Sequence, residues 1–209
     1  MTEAIPDITA DNSLFDSREP FIVEILSGIT RTATVRYPTD KEWIDRQNKL
    51  RIVRRDLGRG KSQTDRVRTE LIDDKLFRDL LKPGTDAPDF DEYEAALVIE
   101  VLMRAEVDLA GIEKLGETTK IPMTVFGNRT VAFHFRNPRR RAIVEYNNSV
   151  VSVINEKRGQ EVRVFMAPSA ELFDAHLIEA TGYAPGSPIP IVHKDSAIYQ
   201  LTQILSPEA

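Results

Sequence analysis

The 209-residue chain contains no cysteine, which excludes disulfides, thiolate metal sites and cysteine nucleophiles together. No window approaches eighteen uninterrupted apolar residues, so a membrane-spanning helix is excluded as well. The opening MTEAIPDITADNS is acidic and lacks the basic-then-apolar layout of an export signal. The expectation is a soluble protein made and kept inside the cell. Histidine is scarce: His134, His176 and His193 are the full set, and no pair has the spacing of a helical metal motif. His134 falls on the polar side of an alternating run, and His193 reads as a capping or loop residue ahead of the last helix. Gly60-Lys61-Ser62 has the look of a phosphate-loop tail. Arg55 stands where that loop needs its first glycine, however, and the segment follows a helical pattern, so it reads as a basic turn. No serine lies in a nucleophile-elbow pattern. The adjacent acids Asp73-Asp74 and Asp89/Asp91 read as helix starts, where the helix dipole favours negative charge. Neither catalytic residue, cofactor nor metal is expected, and the chain reads as non-enzymatic.

What the sequence does hold is a core-forming composition and a repeat. Hydrophobic residues make up 41% and charged residues 29%, enough apolar content for one domain or two small ones. Residues 21–38, FIVEILSGITRTATVRYP, align without a gap on residues 121–138, IPMTVFGNRTVAFHFRNP, at an offset of 100. Thr30, Arg36 and Pro38 fall on Thr130, Arg136 and Pro138. Turn residues Ser27-Gly28 and Gly127-Asn128 separate β-rich runs in both, as in a β-hairpin. In the second copy Val131, Phe133 and Phe135 share one face. Thr39 and Glu42 form a capping box ahead of a basic helix over residues 40–57, with Trp43, Leu50, Val53 and Leu57 as its apolar stripe. The stretch after Pro138 reads as the second copy of that helix, with strand as a rival reading because of its β-branched content. Short strands are expected at residues 65–69 and 161–166, then helices around Leu76-Phe77 and Leu172-Phe173. A final helix closes each copy. One starts at Asp91, with Glu94 in the capping-box position and an apolar run through Met103; the other carries Ala197, Ile198, Leu201, Ile204 and Leu205. The fold class expected is α+β: two similar β-hairpin-plus-helices units from an internal duplication, with antiparallel sheets packed against helices. The boundaries are a flexible acidic arm over 1–20, a first unit over 21–110 and a second over 111–209.

The formal net charge of −5 conceals blocks of single sign. Residues 46–68 hold nine Lys or Arg and two Asp, residues 86–117 hold ten acids and two bases, and residues 129–141 hold five Arg and no acid. Opposed blocks can steer association between copies or with an unlike partner, although compensation inside the fold is an equally simple use for them. The candidate contact residues are Arg46, Arg51, Arg54 and Arg55 on the basic helix, facing Asp89, Asp91 and Glu92 on a neighbour. The same helix 40–57 with Arg139, Arg140 and Arg141 suggests an alternative, a nucleic-acid-binding accessory protein. The acidic pI of about 5.4 and the lack of aromatics among the basic residues oppose it.

With Arg36-Tyr37-Pro38-Thr39-Asp40, Glu42-Trp43 and Leu57-Gly58-Arg59-Gly60-Lys61-Ser62 in the first half, and Glu171-Leu172, Asp174, Gly182-Tyr183, Pro190, His193-Lys194 and Ala197 in the second, the chain resembles a loosely defined group of proteins from tailed bacteriophages and prophages. Some of these are virion or tail components and others are taken to be assembly chaperones. The resemblance implies a structural or assembly role through protein–protein contacts. Partners would be further copies of the chain or other phage structural proteins, in the host cytoplasm during assembly or in the virion. It implies no catalytic residues.

Overall fold

The computed structural model describes residues 14–26, 30–49, 53–56, 62–65, 69–82, 89–126, 129–151, 153–155, 160–162 and 166–206. In chain order these form β1 (Phe21–Leu26), β2 (Thr30–Val35), α1 (Asp40–Lys49), β3 (Val53–Asp56), β4 (Ser62–Asp65), α2 (Thr69–Leu80) and α3 (Glu92–Met103). Then come β5 (Ala105–Val107), a 3-10 turn (Leu109–Gly111), β6 (Glu113–Leu115), β7 (Thr118–Val125), β8 (Arg129–Arg136), α4 (Arg140–Val151), β9 (Val153–Asn155), β10 (Gln160–Val162), α5 (Met166–His176), β11 (Leu177–Thr181) and α6 (Ile191–Leu205). The architecture is α+β with antiparallel sheets. Hairpin, helix, short hairpin, helix, helix runs through twice, with β11 interposed in the second pass. The packing recurs too: α2 lies on α3, which covers β1, and α5 lies on α6, which covers β7 and β5. No helix is long and apolar enough to cross a membrane among the described residues.

Period-two alternation sets the sheets. Ile121, Met123 and Val125 on β7 and Val131, Phe133 and Phe135 on β8 are buried, and the register Ile121↔Phe133 and Met123↔Val131 puts them on one face. In the first hairpin Phe21, Val23 and Ile25 share the buried face with Ala33 and Val35, in the register Phe21↔Val35 and Val23↔Ala33. The larger sheet runs β11-β8-β7-β5, with β6 also on β7. Because β5 precedes residue 110 yet pairs with β7, the expected boundary between units cuts this sheet. One hydrophobic cluster draws on both units, from Phe21 and Trp43 to Phe173 and Leu201.

Helix starts follow local chemistry. Thr39 Oγ1 accepts from the Glu42 N–H at 3.3 Å, and Glu42 Oε2 accepts from the Thr39 N–H at 2.8 Å, the capping box expected there. Arg36 grips the same carboxylate at 2.8 and 2.6 Å, and this guanidinium holds Glu42 down at about 2. Asp91 caps α3 with Glu94 as reciprocal partner. The basic helix expected over 40–57 ends at Lys49, and residues 53–56 are a strand paired with β4, where Ile52-Val53 brings in β-branched side chains. The strands expected at 65–69 and 161–166 lie earlier, at β4 and β10, and the helices begin at Thr69 and Met166. After Pro138 the chain is helical to Val151 and extended only from Val153. Asp73-Asp74 is no helix start; it lies within α2.

Of the segment expected as a flexible arm, Phe15 and Asp16 are buried, whereas Leu14 and residues 18–20 are exposed. Phe15 is fully buried, its N–H donates to the Gly182 carbonyl at 2.8 Å and its carbonyl accepts from the Ala184 N–H at 2.9 Å. Gly182 has φ of +88°, and a Cβ there would meet the Thr130 carbonyl oxygen at 2.5 Å. Only glycine lets this turn lie against β8 while receiving Phe15. Phe15 stacks at 5.5 Å on Phe21 and sits edge-on to Tyr37, Tyr183 and His193. His193 is therefore not a loop residue. It lies in the first turn of α6 with 0% exposure, its Nδ1 3.1 Å from the Tyr183 hydroxyl and its Nε2 3.4 Å from that of Tyr37. Burial drives its pKa from 6.5 to about 3. An unfolded chain protonates this ring near pH 6.5 and the fold does not, so stability is complete above 6.5 and falls as pH drops toward 3. The expected slope is about 1.4 kcal/mol per pH unit in that window. Denaturant midpoints for wild type and His193→Gln between pH 8 and 4.5 test this: the variant is weaker at pH 8 but has the shallower pH slope. Equal slopes would show that His193 does not titrate on unfolding.

Candidate interaction surface

Arg46 sits one turn from the end of α1 and donates through Nε and Nη2 to Asp73 Oδ1 and Oδ2, at 2.5 and 2.9 Å. The two side chains are 12% and 5% exposed. This bidentate pair ties α1 to α2 and withdraws Arg46 from the charges expected to reach a neighbour. The second unit has a related lock, 100 residues on from Arg46. The Tyr146 hydroxyl lies 3.1 Å from Ser169 Oγ, which donates to Asp195 Oδ1 at 2.5 Å. That network ties α4 and α5 to α6, and burial pushes the Asp195 carboxyl above its usual range.

Other expected contact residues divide the same way. Asp91 Oδ1 accepts from the backbone N–H of Tyr93 at 2.9 Å and of Glu94 at 2.8 Å, so its carboxylate serves the cap. Asp89 is exposed, and its backbone carbonyl accepts from Arg31 Nη1 at 2.6 Å. Glu92 is exposed on the first turn of α3. Arg54 and Arg55 belong to β3, with Thr64 and Gln63 as register partners, and Arg51 lies outside the described residues. Arg139 and Arg140 are exposed at the start of α4, and Arg141 donates to Glu145 Oε1 at 2.7 Å. Three guanidiniums at a helix N-terminus oppose the helix dipole.

A groove runs along α3 and was not expected from the sequence. It encloses about 730 Å3 and is lined by Tyr93, Ala96, Leu97 and Met103 with Arg46, Thr69, Glu70, Asp73, Glu100, Arg104, Ala105 and Glu106. Tyr93 and Leu97 lie four residues apart on one helix face, yet they are 72% and 40% exposed. The nearest sequence signal is that α3 is apolar on more than one face: Ala95, Val98, Ile99 and Leu102 already serve the core. Among the described residues no group of three His, Asp or Glu is placed to hold a metal ion.

The chain matches no family model, no curated protein and no solved structure. Several side chains from the two halves meet in space. Tyr37, Tyr183 and His193 share the buried network described above, Asp40 Oδ1 accepts from the Ile191 N–H at 2.9 Å at the start of α6, and Lys194 pairs with Asp174 at 2.7 Å. The Tyr37–His193 and Asp40–Ile191 contacts join the two halves, whereas the other two lie within the second.

Two stability measurements separate internal charges from surface ones. Arg46→Ala strands the Asp73 carboxylate and should cost about 3–5 kcal/mol, whereas Arg46→Met with Asp73→Leu should cost far less. Arg140→Glu should raise stability by about 0.3–1 kcal/mol through the α4 dipole. Thermal or denaturant unfolding of the three variants reads both effects.

Proposed function

We propose that this protein is a non-enzymatic assembly component that works through protein–protein contacts, copies of itself among them. The observation that carries the reading is the groove along α3, where Tyr93 and Leu97 stay open to solvent beside buried neighbours on the same helix. Aromatic and aliphatic side chains lining a groove with a polar rim are the usual makings of a contact surface. The resemblance to tailed-phage virion and tail-assembly proteins gives the setting: assembly in the host cytoplasm, with the particle as the destination. Recurrence of the element order and of the helix packing supports an origin by internal duplication. Light scattering at low and high salt tests the reading. An oligomer is expected at low salt, reduced in mass by salt and by Tyr93→Ser with Leu97→Ser, with unfolding of that variant within about 0.5 kcal/mol of wild type because both side chains are exposed. A monomer at both salts and at all concentrations would overturn contact between copies.

A further inference from the structure

The exposed stripe that α3 presents to its groove has a direction. Tyr93, Leu97 and Glu100 follow one another a turn apart, are all exposed and all line the groove, so the stripe passes from aromatic to aliphatic to acidic. Four carboxylates line the groove against two guanidiniums. Arg46 and Asp73 answer each other, which leaves Glu70, Glu100 and Glu106 against Arg104. The last turn of α3 holds no basic residue, so the negative end of its dipole adds to the acidic character there.

Helix α4 carries the converse stripe. Arg140, Val144 and Asn147 lie a turn apart on one helix face and all are exposed, Val144 at 48%. Arg139 precedes the helix, Arg140 and Arg141 open it, and its first turn holds no acidic residue. Positive charge is thus gathered on a helix end that is already positive, which costs stability in an isolated chain. Carboxylates supplied by a neighbour offset that cost.

We infer that α4 of one copy lies antiparallel in the α3 groove of a second copy. Tyr93 to Glu100 and Arg140 to Asn147 each climb about 10.5 Å, so the two stripes match along their length. Val144 meets Leu97, Arg140 reaches Glu100, and the Asn147 amide reaches the Tyr93 hydroxyl. The same orientation sets the positive start of α4 beside the negative end of α3, whereas a parallel lay would bring two positive ends together. This rests on the contact between copies proposed above and names its two surfaces. The groove belongs to the first unit and α4 to the second, so the contact is head-to-tail and repeats from copy to copy, closing into a ring or running on as a filament.

Because the chain has no cysteine, single cysteines report the contact cleanly. Leu97→Cys protein is mixed with Val144→Cys protein under mild oxidation. A disulfide-linked heterodimer is expected to outnumber linked dimers of either variant alone. Both positions are exposed, so each variant keeps its fold. Arg140→Glu separates assembly from stability: the isolated chain gains stability, as stated above, while association weakens about tenfold. Adding Glu100→Arg to the same chain should recover most of the association, because the charge pair is then restored with its signs exchanged. An oligomer by light scattering that forms no mixed disulfide, or that Arg140→Glu leaves intact, would overturn these surfaces and leave contact between copies standing. A monomer would overturn both. A chain carrying Leu97→Cys and Val144→Cys together that links within itself at high dilution would show α4 lying over its own groove, and that result also overturns the inference.

Discussion

His193 must stay uncharged for the rest of the molecule to be assembled around it. Its ring lies between two tyrosine hydroxyls, Tyr37 from the turn after the first hairpin and Tyr183 from the turn after β11. Phe15 closes the same space edge-on. A neutral imidazole can donate from one nitrogen and accept at the other, and so serves two hydroxyls at once. The Tyr37 hydroxyl also donates to the Leu102 carbonyl at 2.9 Å, at the end of α3. One uncharged ring thus fixes the relative positions of α3, α6, the first hairpin and the segment leading into it. Burial without compensating charge makes both tyrosines reluctant to ionise, so the network keeps one protonation pattern through the physiological range.

Whatever depends on nearest neighbours along the chain was legible in the sequence. Val131, Phe133 and Phe135 alternate with polar residues and lie buried on one face of β8. The pairs Thr39/Glu42 and Asp91/Glu94 announce helix starts because a capping box is a contact across three residues. Where distant partners decide, local sequence is a poor guide. Arg46 looked like surface charge because its partner, Asp73, lies 27 residues away on another helix. His193 looked like a loop residue since nothing local signals a cavity built by Tyr37 and Phe15. An apolar stripe at helical spacing from Trp43 predicts helix through residue 57, but the β-branched pair Ile52-Val53 within it favours the strand that forms. Of the candidate surface, the acidic block was visible, but the exposure of Tyr93 and Leu97 depends on which faces of α3 the sheet and α2 occupy.

The two helix locks make a comparison within one chain. Arg46–Asp73 and Tyr146–Ser169–Asp195 hold corresponding helix pairs, one through a salt bridge and the other through hydroxyls and a carboxyl with a raised pKa. The ionic version lines the groove along α3 with both partners largely buried, so good geometry has to offset their desolvation. The hydroxyl version borders a second groove at Tyr146, with Ser169 fully buried behind it.

The pairing of Phe15 with Gly182, and of Ser17 with Ser187, sets an order of events when the chain is made. A ribosome adds some 5–20 residues each second, so residues 14–20 wait many seconds before their partners leave the exit tunnel. During that interval the first hairpin, α1, α2 and α3 can already collapse, but Phe15 and Tyr37 have nothing to close over them. A message truncated before residue 182 would yield a product with a greasy opening where His193 and Tyr183 belong. Such a product is what chaperones and proteases recognise, so incomplete copies carry their own mark for removal.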